Sequence, residues 1–313
     1  MQPPRNQTRG GGHDAGWRRH CEDQRTRMSA TATAPRRHAL LRRLRANPAL
    51  LIGIVLCLVV LLGAIFAPLL APHDPIDQSI VDRLSPPSAA YPLGTDAYGR
   101  DVLSRILFGA RISLWVAVSS TGAAILVGGA IGAVSGYVGG KVDLIVMQAM
   151  DVLLSFPSLI LGMVVVALMG PAIGNLVFAI ALTAVPPFAR IARAPVLSLK
   201  QRAFVEAGRA LGFSHARILL VHVLPNILDE VLVMGTLWMA AAVRTEAALS
   251  FIGLGVRPPT PTWGGMMRDG FENILDAPWL SLFPGLAILL LVLGLNMIGD
   301  GLRDATDPKL SVQ

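Results

Sequence analysis

Charge is scarce in this chain. Only 15% of its 313 residues are Asp, Glu, Lys or Arg, whereas 53% are hydrophobic. A soluble core of this size does not need that excess, so the balance points to a membrane protein. Cysteine is scarcer still: Cys21 falls in a polar stretch and Cys57 in an apolar one, and the two imply no disulfide framework. A phosphate-binding loop is missing as well. Gly139-Gly140-Lys141 has neither the G-x-x-x-x-G-K spacing nor the hydroxyl that should follow it. The six histidines, at 13, 20, 38, 73, 215 and 222, lack metal-ligand spacing. His73 lies near Asp74 and Asp77, but Pro72 and Pro75 favour a plain turn over a cation site. No catalytic, cofactor-binding or metal site is therefore expected in this chain.

The basic residues that are present are concentrated. Residues 1–45 hold 11 of the 27 Lys and Arg, residues 190–217 hold six more, and the remainder is net acidic. The positive-inside rule gives this distribution to cytoplasmic segments, so the net charge of +7 implies no nucleic-acid partner. Residues 1–35, rich in Arg, Gly, Gln and Thr, read as a disordered cytoplasmic tail, with Met28 as an alternative start. In the run from Arg36 to Arg45, Leu40, Leu41 and Leu44 share one side, which suits an interfacial helix on membrane lipids that ends at Asn47-Pro48. A solvated basic tail is the alternative.

Six apolar stretches approach the roughly 20 residues needed to cross a bilayer: 49–70, 112–136, 143–169, 172–194, 227–250 and 281–302. Segments 71–111 and 251–280 carry more acids than bases and suit the outside, while the basic 190–217 segment suits the inside. Both termini are then cytoplasmic. Small residues crowd the second stretch (Gly122, Gly128, Gly129, Gly132), which suits close helix packing. Before it, Thr95 or Asp96 is placed to cap a short amphipathic helix, with Asp101 and Arg105 four apart on its surface.

The polar segment between the fourth and fifth stretches is the most distinctive part of the chain. Residues from about Lys200 to Leu211 include good helix formers, Gly212 is a left-handed stop, and Ser214 caps a second helix. Pro225 and Asn226 are expected to reset the chain before the next apolar run. The segment resembles the EAA loop of permease subunits in ABC importers. Glu206, Ala207, Gly212, Leu224 and Pro225 match that pattern at its spacing, while Gly208 stands where the pattern has a second Ala and His222 where it has an apolar residue.

The resemblance runs from about residue 36 to 310. Gly94 to Asp101 (GTDAYGRD), Met150 to Pro157 (MDVLLSFP), Glu246 to Val256 (EAALSFIGLGV), Pro258 to Gly264 and Asn296 to Asp304 are similar to the dipeptide, oligopeptide and nickel branch, second permease type. It implies an all-α membrane protein with six transmembrane helices, the type I ABC importer permease architecture. The implied division is residues 1–35 as tail, 36–110 as interfacial helix, first span and extracytoplasmic segment, and 111–310 as transmembrane domain with a coupling loop at 195–225. Glu206, Ala207, Gly208, Gly212, Leu224 and Pro225 would couple to an ATPase. The implied partners are a second permease subunit, one or two ATP-binding subunits that hold ATP and Mg, and an extracytoplasmic solute-binding protein. Movement of cargo by alternating access across the cytoplasmic membrane is implied too, with a dipeptide, longer peptide, glutathione-like compound or nickel chelate as cargo.

Charges inside apolar stretches are costly, so Asp151, Arg244 and Glu246 are candidate contacts with the pathway or a partner; interfacial anchoring and inter-helix ion pairs are the plainer explanation. Two residues apart on a helix, Arg244 and Glu246 point to different sides. A secondary transporter acting alone on an ion gradient is the competing class. It would call for an internal repeat and midspan ion ligands; no clear internal repeat is evident, and the EAA-like loop would go unexplained. A membrane receptor would call for an attached sensory or enzymatic domain, and none is expected here.

Overall fold

A computed structural model of the protein describes residues 47–306. Among the described residues there is no strand. Pro48, whose missing N–H costs nothing in a first turn, opens helix α1 (Pro48–Ile65), and a short turn of helix, α2 (Ala67–Leu70), follows. The long helices after it are α3 (Val102–Val138), α6 (Ile173–Leu199), α8 (His215–Phe251) and α10 (Trp279–Thr306). Between them lie α4 (Gly140–Leu154), α5 (Ser158–Met169), α7 (Ala203–Ala210) and α9 (Trp263–Glu272). Helices α1, α3, α6, α8 and α10 are long and apolar enough to cross a membrane, and α4 with α5 forms a sixth, broken span. Most of α1 is exposed apolar surface; only Leu50, Gly53 and Ala64 are buried. That is the pattern of a helix facing lipid on most of its circumference.

Three sequence expectations need correction. The third span is not one helix over 143–169: it bends by 86° between α4 and α5, where Pro157 has no N–H to continue the ladder. The short amphipathic helix before the second span does not exist separately. It is the first turns of the 37-residue α3, capped by Asp101, whose carboxylate accepts from Ser104 N at 2.8 Å, and not by Thr95 or Asp96. Asp101 and Arg105 are buried, not on its surface. Third, Pro225 does not reset the chain. The helix runs on from His215 to Phe251 through a π turn at Ile218–Val223, which absorbs the N–H that Pro225 lacks. The expected tail and interfacial helix lie outside the described residues.

The small residues of α3 explain the packing. Helices α3 and α6 share the most extensive contact in the fold. A Cβ on Gly128 would lie 2.5 Å from Val185 O, and one on Gly132 would lie 2.0 Å from Ala189 O. The α3 backbone therefore rests directly on that of α6, which only glycine allows. Gly53 of α1 and Gly294 of α10 meet in the same way, a Cβ on Gly53 falling 2.8 Å from Gly294 O. Two apolar cores result. One, around Leu176, Val243, Trp263 and Leu291, lies toward the end carrying residues 71–101; the other, around Phe188, Val196, Val205 and Ile218, lies toward the end carrying α7.

Gly132→Ala is expected to force α3 from α6 and destabilise the protein by about 1–3 kcal/mol, the usual cost of overpacking. Gly129→Ala, with nothing within 4 Å of the new methyl, is the matched control and should be neutral or stabilising. Thermal unfolding of the purified full chain in detergent compares the two; equal midpoints would contradict the backbone contact.

Candidate functional site: a capped loop and an internal cleft

The loop after α6 is a helix pair closed by its own backbone. Helix α7 ends in a Schellman motif. Phe213 N donates to Gly208 O at 3.0 Å, Gly212 N donates to Arg209 O at 2.9 Å, and Gly212 sits at φ 77°, where a Cβ would be strained. Ser214 then caps the next helix, accepting from Arg217 N at 3.3 Å. Within α7, Val205 and Gly208 face inward, while Glu206 and Ala207 are exposed. The structure accounts for Gly208: a methyl there would meet the Phe213 ring at 3.3 Å, tighter than ordinary contact. His222 stacks on the same ring at 5.8 Å between centroids, so an aromatic layer fills the position expected to be apolar. Leu224 is partly buried in the core beneath the loop and Pro225 is exposed.

The loop is tied to the ends of α3 and α6. Lys200 Nζ donates to Gly136 O at 2.8 Å, Tyr137 Oη is bonded to His215 Nδ1 at 3.0 Å, and Arg209 lies over the Tyr137 ring. Outward it presents Glu206, Ala207 and the exposed apolar side chains Phe204, Leu211, Leu220 and Val221. Leu211 is 73% exposed, an apolar knob beside an acid and several arginines.

Two ion pairs fasten α4 to α6. Asp151 accepts from Arg190 Nη2 at 2.5 Å in an exposed pair. Asp143 takes a bidentate grip from Arg193 Nε and Nη2, both at 2.5 Å. The reading of the sequence missed this second pair. Its signal was there: two acids two turns apart on one helix, and two arginines three apart on the next. Asp151 therefore pairs with Arg190 across α4 and α6.

Glu246 and Arg244 diverge, as their spacing requires. Glu246 is fully buried and accepts from Ser113 Oγ at 3.0 Å and Ser250 Oγ at 2.7 Å. Arg244 lines a cleft of about 370 Å³ between α3, α5, α6 and α8. An Arg in a spanning helix costs about 2.5–3.5 kcal/mol at the centre on insertion scales, which favours its facing water and not lipid.

At the opposite end, residues 71–101 fold over the helix tips. Asp96 accepts from Arg100 Nε at 2.6 Å and from the Arg100 and Tyr98 amides. Asp269 of α9 lies 3.7 Å from Arg100; burial raises its pKa above the usual carboxylate range, and Arg100 and Arg105 oppose that shift. Ile76 N donates to Asp74, which holds the plain turn expected there, and no cluster of metal-ligating side chains occurs among the described residues.

Fold and loop together define an all-helical, multi-span membrane protein with a hydrogen-bonded loop at one end and an internal cleft. Comparison with known families agrees. Residues 128–312 match the binding-protein-dependent transport system inner membrane component, and residues 36–87 match the N-terminal TM domain of oligopeptide transport permease C. The chain belongs to the first of these families, the permease components of ABC importers. It is 42% identical to the dipeptide transport system permease protein DppC of Alkalihalophilus pseudofirmus, over 90% of this chain and 92% of that protein. It is also 42% identical to the di/tripeptide permease protein DppC of Pseudomonas aeruginosa (84% and 89% covered). With the glutathione transport system permease protein GsiD of Pectobacterium atrosepticum the identity is 41% (86% and 89% covered).

A double-mutant cycle on Asp143→Ala and Arg193→Ala is expected to give a coupling of about 0.5–3 kcal/mol, with the double variant more stable than the two single losses added together. Unfolding midpoints of the purified full chain measure it. Strict additivity would show that the pair holds nothing.

Proposed function

We propose that this chain is a membrane subunit of an ATP-driven importer of peptides or similar small solutes, working by alternating access in the cytoplasmic membrane. The observation that carries the reading is the loop: a Schellman-closed helix pair with Glu206 and Ala207 outward, braced against α3 and α6. Such a loop moves as one body and can hand the motion of a docked ATPase to the spans. The surrounding excess of arginine supports a cytoplasmic position for it. Residues 71–101 and α9 then face outward, where a solute-binding protein delivers cargo. ATP and Mg belong to partner subunits, and a second permease completes the path. The peptide cargo rests on what the similar proteins are named for, and on the cleft, whose lining includes Arg244 and the hydroxyls of Ser120, Thr121, Ser158, Thr183 and Thr245.

Gly212→Pro replaces a residue at φ 77° and removes the N–H that bonds Arg209 O; Glu206→Lys reverses the one acid of α7. Both substitutions are expected to abolish ATP-linked peptide uptake while the chain still inserts and co-purifies with its second permease. Normal uptake in both would reject the loop's role. Cysteines at the exposed positions Ser88 and Leu275, with Cys21 and Cys57 replaced, should react with an impermeant thiol reagent in intact cells. One at Ser214 should react only after permeabilisation, and its labelling from outside would invert the topology.

A further inference from the structure

Arg244 is the single charged residue lining the cleft between α3, α5, α6 and α8, and among the described residues its guanidinium has no acidic or carbonyl partner. The nearest acid along its helix, Glu246, is turned away into the protein and is already bonded to Ser113 and Ser250. A guanidinium always carries its charge, offers five donors in a planar fork and fits a carboxylate in bidentate fashion.

Three of the five hydroxyls in the lining offer the opposite chemistry. Ser120, Thr183 and Thr245 each donate their hydroxyl proton to a carbonyl of their own helix, to Val116 O, Ile180 O and Ala241 O respectively. What these hydroxyls have left to give the cleft is acceptor lone pairs. Pro187 adds another acceptor: it has no N–H, so the carbonyl of Thr183 lacks its intrahelical donor. The Trp238 ring supplies apolar wall. A solute matched to this space has a carboxylate at one end, N–H donors elsewhere and a modest apolar side chain.

We propose that Arg244 holds the free carboxylate of the cargo during passage, and that the cleft selects short zwitterionic chains with an unblocked C-terminus. The proposal rests on the peptide-importer reading, which it sharpens to a residue and a functional group. A guanidinium that lines an open cleft attracts an anion and can pair with it in bidentate fashion, and the openness leaves the carboxylate free to depart when the walls move.

The test uses cells carrying the full importer, with Arg244→Gln or Arg244→Lys in this chain. The probe is a pool of isotope-labelled di- and tripeptides with free C-termini. Arg244→Gln is expected to lower uptake about tenfold or more, the loss of a charge-assisted bond, with co-purification of the second permease unchanged, and Arg244→Lys is expected to recover part of the uptake. Unchanged uptake in Arg244→Gln would overturn the proposal. Loss of co-purification would also overturn it, by making Arg244 a subunit contact. A second arm needs no cargo. With Thr183→Cys as reporter and the native cysteines replaced, an anionic methanethiosulfonate should react faster than a cationic one, and Arg244→Gln should erase that preference. Equal rates with Arg244 in place would overturn the proposal. If the unaltered importer took up no peptide while the anion preference held, the peptide reading would fail and the carboxylate site would stand.

Discussion

The direct seating of the α3 backbone on that of α6, at Gly128 and Gly132, is the contact on which the rest of this protein depends. Lipid gives helices no hydrophobic reason to associate, so close backbone approach has to supply the attraction. Everything of functional interest hangs from this pair. The α6 C-terminus leads into the loop through Lys200, which donates to Gly136 of α3, and Tyr137 at the end of α3 bonds His215 beyond the loop. Further along the same two helices, Ser120, Thr121, Ile180, Thr183 and Ala184 form facing walls of the cleft. A displacement of the loop therefore acts on the element that shapes the cleft.

Helix α8 is the second connection. It begins at His215 in the loop and carries Trp238, Arg244 and Thr245 to the cleft without a break. Pro225 would interrupt such a helix unless the backbone found another pairing, and the π turn before it provides one. Inside a membrane the unmet polar group is the expensive one. Asp143 meets Arg193, and Glu246 meets two serines. Arg244 lines open space and, among the described residues, has no acidic or carbonyl partner.

Much of this was legible in the sequence because single residues settle local backbone. Gly212 and Ser214 announced the turn and the cap, and the density of small residues announced the α3 packing. The departures from the resembled loop also make sense in three dimensions, since Gly208 and His222 both pack on Phe213. What could not be read from sequence depended on partners far along the chain. The burial of Asp101 and Arg105 depends on how residues 71–101 fold over the helix tips. The bend after α4 was hidden because a window of apolar residues does not record direction, although Pro157 marked its place. The Asp143–Arg193 pair needed two helices to be recognised as antiparallel neighbours.

The most direct test of the account is site-specific crosslinking from the loop in native membranes of cells expressing the complete importer. Cysteines at Leu211 and Phe204, both exposed beside Glu206, would be paired with a short bifunctional reagent. The account predicts a crosslink to an ATP-binding subunit from each, with a yield that changes when ATP is added, and none from Ser88. A crosslink to the ATPase from Ser88, with none from Leu211 or Phe204, would contradict it.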